Sequence, residues 1–418
     1  MESFFEVKRP DEVFAIIDRL RPVGEETISL TEALDRVLNQ DLIAPEDLPP
    51  FFRSTMDGYA VKAKSTFGAS EGLPAFFQLT GETLMGQATG MVVKEGQAVK
   101  IPTGAMLPEG ADSVVMKEYC HRLDSETLEV ARAVSPLQNV IQPGDDIKQG
   151  AVFLKRGHRL RPQDVGAIAG FGITDIPVFR KPRIAIISTG DEIVSAERTP
   201  LPGQVRDINQ YTLAALCLKA GAEPLLMGLC PDDVGPLKQM VEEGLTRADS
   251  VWISGGSSVG TRDLTLKVFE SLPDFKLLVH GISISPGKPT IIGRSGTQTV
   301  IGLPGHVASA LVVGVVFMTR IISRLSGWEG LPKRWGTDVE ARLSQNIESA
   351  NGREDYVRVR LIETDEGLTA IPVFGKSGLI STLVESDGLI RIDMNCEGLY
   401  QGEKVKVMLF DFAGGGLG

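Results

Sequence analysis

The segment Pro182-Arg-Ile-Ala-Ile-Ile-Ser188 restricts the fold more than any other part of the chain. Its β-branched run has no internal polar alternation, the mark of a strand covered on both faces. Ser250-Val-Trp-Ile-Ser254 and Thr299-Val-Ile-Gly302 share that texture, and Glu223-Pro-Leu-Leu-Met-Gly228 precedes them. Helical patterns over 210–220 and from about Val234 to Glu243 separate these runs, and an apolar helix follows from Val307. Strands alternating with helices imply a central three-layer α/β domain with a mainly parallel sheet, expected over 178–327.

The flanks have a different pattern. Residues 10–20 read as a helix, with Pro10 at its start, acids in the first turn and apolar residues at Val13, Ile16, Ile17 and Leu20. This N-terminal helix, within 1–20, is expected to pack on the α/β domain. A second short helix is expected from Leu30 to Leu38, before the linker-like stretch Ala44-Pro-Glu-Asp-Leu-Pro-Pro50. Short apolar-polar runs between Gly and Pro turns predict a small β domain over 51–139. A helical pattern from Pro162 to Ile168 lies in the mixed stretch 140–177, which is expected to join 21–50 in a linking domain. Period-2 runs at Tyr356–Leu361 and Lys404–Leu409 predict a C-terminal, barrel-like β domain over 328–418.

A chain of 418 residues exceeds one hydrophobic core, in keeping with several domains. A net charge of −11 opposes general nucleic-acid binding, which needs a basic surface, but leaves room for an anionic small molecule in a local cleft. Cys120, Cys217, Cys230 and Cys396 form no C-x-x-C pair, and His121, His158, His280 and His306 form no H-x-x-x-H pair. That spread suits a reducing cytoplasm and offers no disulfide framework or zinc motif. Met1-Glu-Ser-Phe-Phe-Glu has no basic region followed by an apolar run, so no signal peptide is read there. The apolar stretch Val307–Met318 is shorter than the ~20 residues that span a bilayer and is expected to be a buried helix.

Ligands of open parallel sheets bind beyond the carboxyl ends of the strands. Three loops there carry polar chemistry. In Ser188-Thr-Gly-Asp-Glu192, the adjacent carboxylates Asp191 and Glu192 suit Mg²⁺ or cap a helix; Thr189 and Gly190 complete the turn. Ser254-Gly-Gly-Ser-Ser-Val-Gly260-Thr-Arg-Asp263 is a small-residue loop whose backbone N–H groups can form an anion nest at Gly255, Gly256, Ser257, Ser258 and Gly260, or only a tight turn. Asp263 follows it as a metal or substrate ligand. Gly302-Leu-Pro-Gly-His306 opens the apolar helix, placing Gly305 and His306 where unpaired N–H groups attract anions; a capping role for His306 is the plainer reading. Lys288, in Ser285-Pro-Gly-Lys-Pro289, is a candidate phosphate contact on a backbone held by two prolines. On composition, Asp57 and Thr103 are turn formers.

Taken in order, Ser54-Thr-Met-Asp-Gly-Tyr-Ala-Val61, Ile101-Pro-Thr-Gly-Ala105, Gly144-Asp-Asp-Ile147, Ser188–Glu192, Ser254–Gly260, Pro286-Gly-Lys-Pro289 and Gly302-Leu-Pro-Gly305 resemble the molybdopterin molybdenumtransferases, the family of MoeA and the gephyrin E domain. The resemblance covers essentially the whole chain. It implies a four-domain subunit and a homodimer whose active site lies at the subunit interface, the α/β domain of one subunit facing the small β domain of the other. It also implies insertion of molybdenum from molybdate into adenylylated molybdopterin, with release of AMP and with Mg²⁺. Molybdopterin adenylyltransferase is then the upstream partner; nucleic acid and membrane are not partners. Carried over by position, Glu192, Asp263 and Asp57 are the catalytic acids, with Glu192 and Asp263 as metal ligands. Thr103, Asp146, Lys288 and Ser377 join the three loops as substrate contacts.

The chain departs from the family pattern at three places. Many relatives carry Arg where this chain has Ile141, Lys where it has Ser285, and Asn-Pro where it has His306-Val307. Two anion-binding cations are thus replaced, with Arg262 and Lys376 as nearby substitutes. A pterin- or nucleotide-binding paralogue without metal insertion, or a tungstate-preferring enzyme, is the alternative. An interaction scaffold would not need the acidic residues, and a dinucleotide dehydrogenase would need a Gly-x-Gly-x-x-Gly turn that 255–260 lacks.

Overall fold

The computed structural model describes residues 7–255, 259–329 and 338–410. The chain forms two compact units, one of 1–39, 157–161 and 176–418, the other of 40–156 and 162–175. The segments expected to form a linking domain fall partly in each.

At the centre of the first unit, the strands Glu223–Cys230, Arg183–Thr189, Ser250–Ser254 and Gln298–Leu303 lie side by side and parallel. Ile291–Ser295 and Phe275–His280 extend the sheet antiparallel. Alternate residues of one strand face opposite ways. Ile184 and Ile186 therefore pack with Trp252, Ile301 and the helices Asn209–Ala220 and Val307–Val313, while Ala185 and Ile187 pack with Val251 and the helices Val234–Arg247 and Val259–Glu270. This is the three-layer α/β domain read from the sequence. The apolar run continues through a π-turn at Gly314–Met318 into Thr319–Leu325, giving a mainly apolar helical stretch of 19 residues. Length alone would therefore let it span a bilayer, contrary to the shorter reading; 83% of it is buried in the domain, which makes it a core helix. Gly314 sits at its closest packing, where a Cβ would come within 2.6 Å of Leu216.

The C-terminal strands Glu354–Thr364, Gly367–Pro372, Asp338–Leu343, Lys404–Leu409 and Gly388–Ile392 pair in that order. The last returns to pair with the first and closes a five-stranded barrel. Its interior is filled by Leu343, Val359, Leu361, Ile390 and Val407 among others. A further strand, Ile284–Ser285, adds to the start of Glu354–Thr364 and ties the Pro-flanked turn at 285–289 to the barrel.

The second unit holds a six-stranded sheet ordered Ser113–Met116, Gly58–Val61, Gln97–Ile101, Ala75–Glu82, Thr127–Val130 and Cys120–Arg122. The helix Pro162–Gly170 belongs to it.

One expected element is absent. Where a helix was read from Leu30 to Leu38, only a single turn forms, Leu30–Glu32. The sequence signal was real, because Ser29 and Glu32 make a capping box. Asp35 then takes a left-handed conformation (φ 62°), and Val37 and Leu38 bridge to Arg159 and Val178 instead. Long-range β pairing overrides local helical propensity.

The first helix, Pro10–Ile17, is held against the α/β domain at its C-terminal end. Phe14 stacks on Phe317 at 5.0 Å. Asp18 accepts from Arg320 Nε (2.8 Å) and Nη2 (2.7 Å) and from Arg324 Nε (3.1 Å). Burial pushes the Asp18 carboxyl up, but the two guanidiniums outweigh it and hold it below its usual range. A depressed carboxylate stabilises the fold above its unfolded pKa and loses that effect as pH falls through the folded value. Asp18→Asn is therefore expected to cost about 1–2 kcal/mol in urea denaturation at pH 7. The gap should shrink below about pH 4, and a gap that persists there would show that packing, not charge, holds the helix.

Candidate functional site

The carboxyl ends of the parallel strands open into a cleft of about 460 Å³, lined by Thr189, Gly190, Glu192, Asp207, Asn209, Asp232, Gly255, Gly305 and His306 among others. Two features of the backbone make it. Gly255 approaches Thr189 so closely that a Cβ there would lie 2.1 Å from Thr189 Oγ1 and 2.3 Å from its carbonyl oxygen. No side chain fits, so the glycine is demanded by the meeting of two strand ends. Asn209, buried at the start of its helix, donates through Nδ2 to Ser254 Oγ (2.8 Å) and to the Gly305 carbonyl (2.7 Å). One amide thus fastens the second and third loops together.

The lining is rich in oxygen atoms without protein partners. Among the described residues, Asp232 Oδ1, Asp207 Oδ2 and Asn209 Oδ1 in this lining, and Ser188 Oγ on the strand that leads to it, are buried and unpaired. Asp207 uses its other oxygen to accept from Gln210 N (3.2 Å), and Asp191 Oδ1 accepts from Asp232 N (3.1 Å). Burial pushes the Asp232 carboxyl up, and the charges of Asp191 and Glu192 push it further. Asp191 and Glu192 themselves are exposed. Unpaired buried carboxylate oxygens beside other carboxylates are costly unless a cation or donor arrives. Among the described residues no three His, Cys, Asp or Glu side chains form a ready-made cage. Mg²⁺ does not need one, because it keeps several waters and takes one or two carboxylates. The donor set fits that ion.

His306 stands at the N-terminal end of Val307–Val313 and its Nδ1 lies 3.0 Å from Ser377 Oγ. Ala308 N donates to the Ser377 carbonyl (3.0 Å). The barrel therefore delivers Ser377 to the helix start that borders the cleft. Lys288 is placed differently. It is exposed and lines a neighbouring hollow of about 460 Å³ with Val7, Ser309 and Arg353, not the Glu192 cleft. A third hollow, of about 380 Å³, lies between Ser285 and Ser377 and is lined by Arg358. Arg358 is buried, donates to the Gly375 carbonyl (2.9 Å), and leaves its Nε unpaired. Burial lowers its pKa.

In the second unit, Asp57 Oδ1 accepts from Thr103 N and Thr103 Oγ1, both at 2.9 Å, and Lys117 Nζ lies 3.3 Å from Oδ2. Led by the Thr103 backbone bond, these hold the Asp57 carboxyl at about 2. It borders a cavity of about 310 Å³ with Tyr59, Lys100 and Lys117. Asp146 is exposed on its turn and does not line that cavity. Ile141 pairs across two short strands with Arg53.

The structure thus brings Thr189, Gly190, Glu192, Gly255, Gly305 and His306 into one cleft and sets Asp57 with Thr103. Gly256, Ser257 and Ser258 lie outside the described residues. Gly260 and Asp263 fall in the helix Val259–Glu270, but their side chains lie outside the description. Asp207, Asn209, Asp232 and Arg358 escaped the sequence reading. Asp232 carried a usable signal, an acidic pair just after the strand Glu223–Cys230; the others lie where no motif marks them.

Three family models match the chain: MoeA N-terminal region (domain I and II) over residues 9–172, "Probable molybdopterin binding domain" over 185–324, and MoeA C-terminal region (domain IV) over 340–410. A Methanocaldococcus jannaschii protein named for molybdopterin biosynthesis is 36% identical, across 94% of each chain. A molybdopterin molybdenumtransferase of Haemophilus influenzae is 31% identical over 93% of this chain and 95% of its own. The crystal structure of a MoeA protein from Pyrococcus horikoshii OT3 superposes with a TM-score of 0.83 at 30% identity, covering 97% of this chain and all of that one.

The raised Asp232 yields a stability test. A carboxylate whose folded pKa is raised favours folding only while protonated, and that benefit is lost as pH rises through the folded pKa. In metal-free protein at neutral pH, Asp232→Asn should therefore raise Tm by about 1–3 °C. As pH falls and wild-type Asp232 takes up its proton, the difference should vanish. A variant less stable than wild type at pH 7 would refute the strained-carboxylate account.

Proposed function

The chain belongs to the MoeA family of molybdopterin molybdenumtransferases, the transferases of molybdenum cofactor biosynthesis, and we propose that its chemistry takes place in the oxygen-lined cleft at Glu192. Molybdopterin is the substrate bound by the α/β domain. In our reading it arrives adenylylated, meets molybdate, and leaves as the molybdenum cofactor with AMP released. The observation that carries this placement is the set of unpaired buried oxygens of Asp207, Asn209 and Asp232 around Glu192.

These oxygens, with Glu192, would hold Mg²⁺. When bound, the ion supplies charge neutralisation at the phosphoanhydride. The protein's own groups do the remainder. Gly255, whose missing side chain lets its backbone meet Thr189, and Gly305 present backbone to the substrate's anionic part. Asn209 keeps both loops in register, and Ser377 with His306 closes the side facing the barrel. Asp263 joins the acids by resemblance. Asp57, fully ionised at neutral pH and held by Thr103 and Lys117, acts as a fixed carboxylate and not as a proton donor.

We further propose a homodimer in which the Asp57 cavity of one subunit completes the Glu192 cleft of the other. This reading rests on the family resemblance; beside Asp57 the cavity offers Lys100 and Lys117, which pair with Glu82 and Asp57. A cytoplasmic setting fits the four free cysteines.

Glu192→Gln should lower molybdenum insertion at least about 100-fold, measured with adenylylated molybdopterin, molybdate and Mg²⁺, while circular dichroism stays unchanged. Near-normal turnover would move the chemistry elsewhere; an inactive wild type that still binds the pterin would instead favour the non-inserting paralogue. Mixing Glu192→Gln and Asp57→Asn subunits tests the dimer. Random pairing leaves one intact site in half the dimers, so about one quarter of wild-type activity should return. Failure of any activity to return, with exchange verified by mass spectrometry, would place both acids in the same subunit's site.

A further inference from the structure

A fifth cavity, of about 240 Å³, lies at the opposite edge of the parallel sheet from the Glu192 cleft. Lys181 and Gly221, which line it, immediately precede the strands Arg183–Thr189 and Glu223–Cys230. Five basic side chains line this cavity, Arg36, Arg159, Arg180, Lys181 and Lys219, against one carboxylate, Asp35. Such a concentration is unexpected on a chain with 43 basic and 54 acidic residues.

The arginines are held in place from outside the cavity. Arg180 makes a two-pronged pair with Asp249 (2.9 and 2.7 Å), and Arg36 pairs with Glu26 and donates to the Phe179 carbonyl (2.9 Å). Neither Asp249 nor Glu26 lines the cavity. Arg159 pairs with Asp35 (3.0 Å) and lies over the Trp328 ring at 5.3 Å. Against these three carboxylates stand three paired arginines and the exposed Lys181, while Lys219 donates to the Phe410 carbonyl (2.7 Å). The Arg159 Nε–H is buried and has no partner among the described residues. A guanidinium offers five donors in a rigid fork, so one already oriented loses little freedom on meeting an oxyanion.

We propose that this cavity binds a small tetrahedral oxyanion, free or as a phosphomonoester, at a site separate from the catalytic cleft. The Arg159 guanidinium, which lines the cavity, supplies fixed charge, Lys181 supplies mobile charge, and the volume leaves space for the anion with some of its water. The site shares no lining residue with the Glu192 cleft, so an anion held here is held apart from that cleft.

Isothermal titration of the full-length protein with inorganic phosphate, at constant ionic strength, tests the assignment. Lys181→Gln, an exposed substitution, and Arg159→Gln should each weaken binding at least tenfold. Lys288→Ala, in the hollow beside the cleft, should leave it unchanged. Competition by AMP that Lys181→Gln also weakens would assign a phosphomonoester; phosphate binding without such competition would assign a free oxyanion. Absence of binding to wild type, full affinity in Lys181→Gln, or loss of binding in Lys288→Ala would each overturn the proposal.

Discussion

Two strand ends that meet at Gly255 and Thr189, and one amide that fastens their neighbours, set the geometry on which the cleft depends. Parallel strands deliver their carboxyl ends to the same edge, but they do not by themselves bring three loops into contact. The absent Cβ at 255 lets two backbones close to a distance no side chain permits, and Asn209 then links Ser254 to Gly305. Glu192, Asp232 and His306 inherit their positions from that arrangement. Asn209 itself is fixed because its helix is packed by Leu213, Leu216 and Cys217 into the core beneath.

The same arrangement concentrates negative charge where the fold gains nothing from it. Asp232 is half-buried beside Asp191 and Glu192, and its Oδ1 has no donor among the described residues. Contrast Asp18, equally a carboxylate near the surface, which two arginines satisfy completely. A molecule that can saturate one acid and leaves another strained shows where stability and activity pull apart. Asp57 occupies a third condition: it is satisfied by Thr103 and Lys117, and so remains charged over the whole physiological range. Carboxylates of one chain thus have three electrostatic fates, set by the number and kind of donors each finds.

The layered core was legible because burial on both faces leaves an unmistakable apolar run, as in Ile184–Ile187 and Val251–Ile253. The closed barrel was legible only as strands, since the pairing of Glu354–Thr364 with Gly388–Ile392 joins segments whose neighbourhood no local pattern encodes. The helix read at 30–38 failed for the same reason, its capping box being honoured for one turn before distant strands claimed Val37 and Leu38. Within the cleft, loops with glycines or paired acids announced themselves. Asn209 and Asp207 did not, because an amide and an acid at a helix start are ordinary caps until the fold sets Asn209 against Ser254 and Gly305 and Asp207 in the cleft wall. Lys288 stood out by its flanking prolines, yet those prolines hold it on the wall of an adjoining hollow.

The substitutions at Ile141 and Ser285 gain a physical sense from the same distinction between motif and neighbourhood. An anion senses the charge around it, not the strand that supplies the charge. Arg53 stands directly across from Ile141, and Arg358 shares a hollow with Ser285. A cation is therefore retained beside each altered position, contributed by a neighbouring strand. The exchange is not neutral in kind. Lysine brings a flexible point charge, whereas Arg358 is a planar fork, buried and anchored to the Gly375 carbonyl with one N–H still unpaired. Charge that is held rigidly in a half-buried hollow selects for the shape and orientation of what it meets, so the chain trades reach for directionality in the hollow beside Ser285.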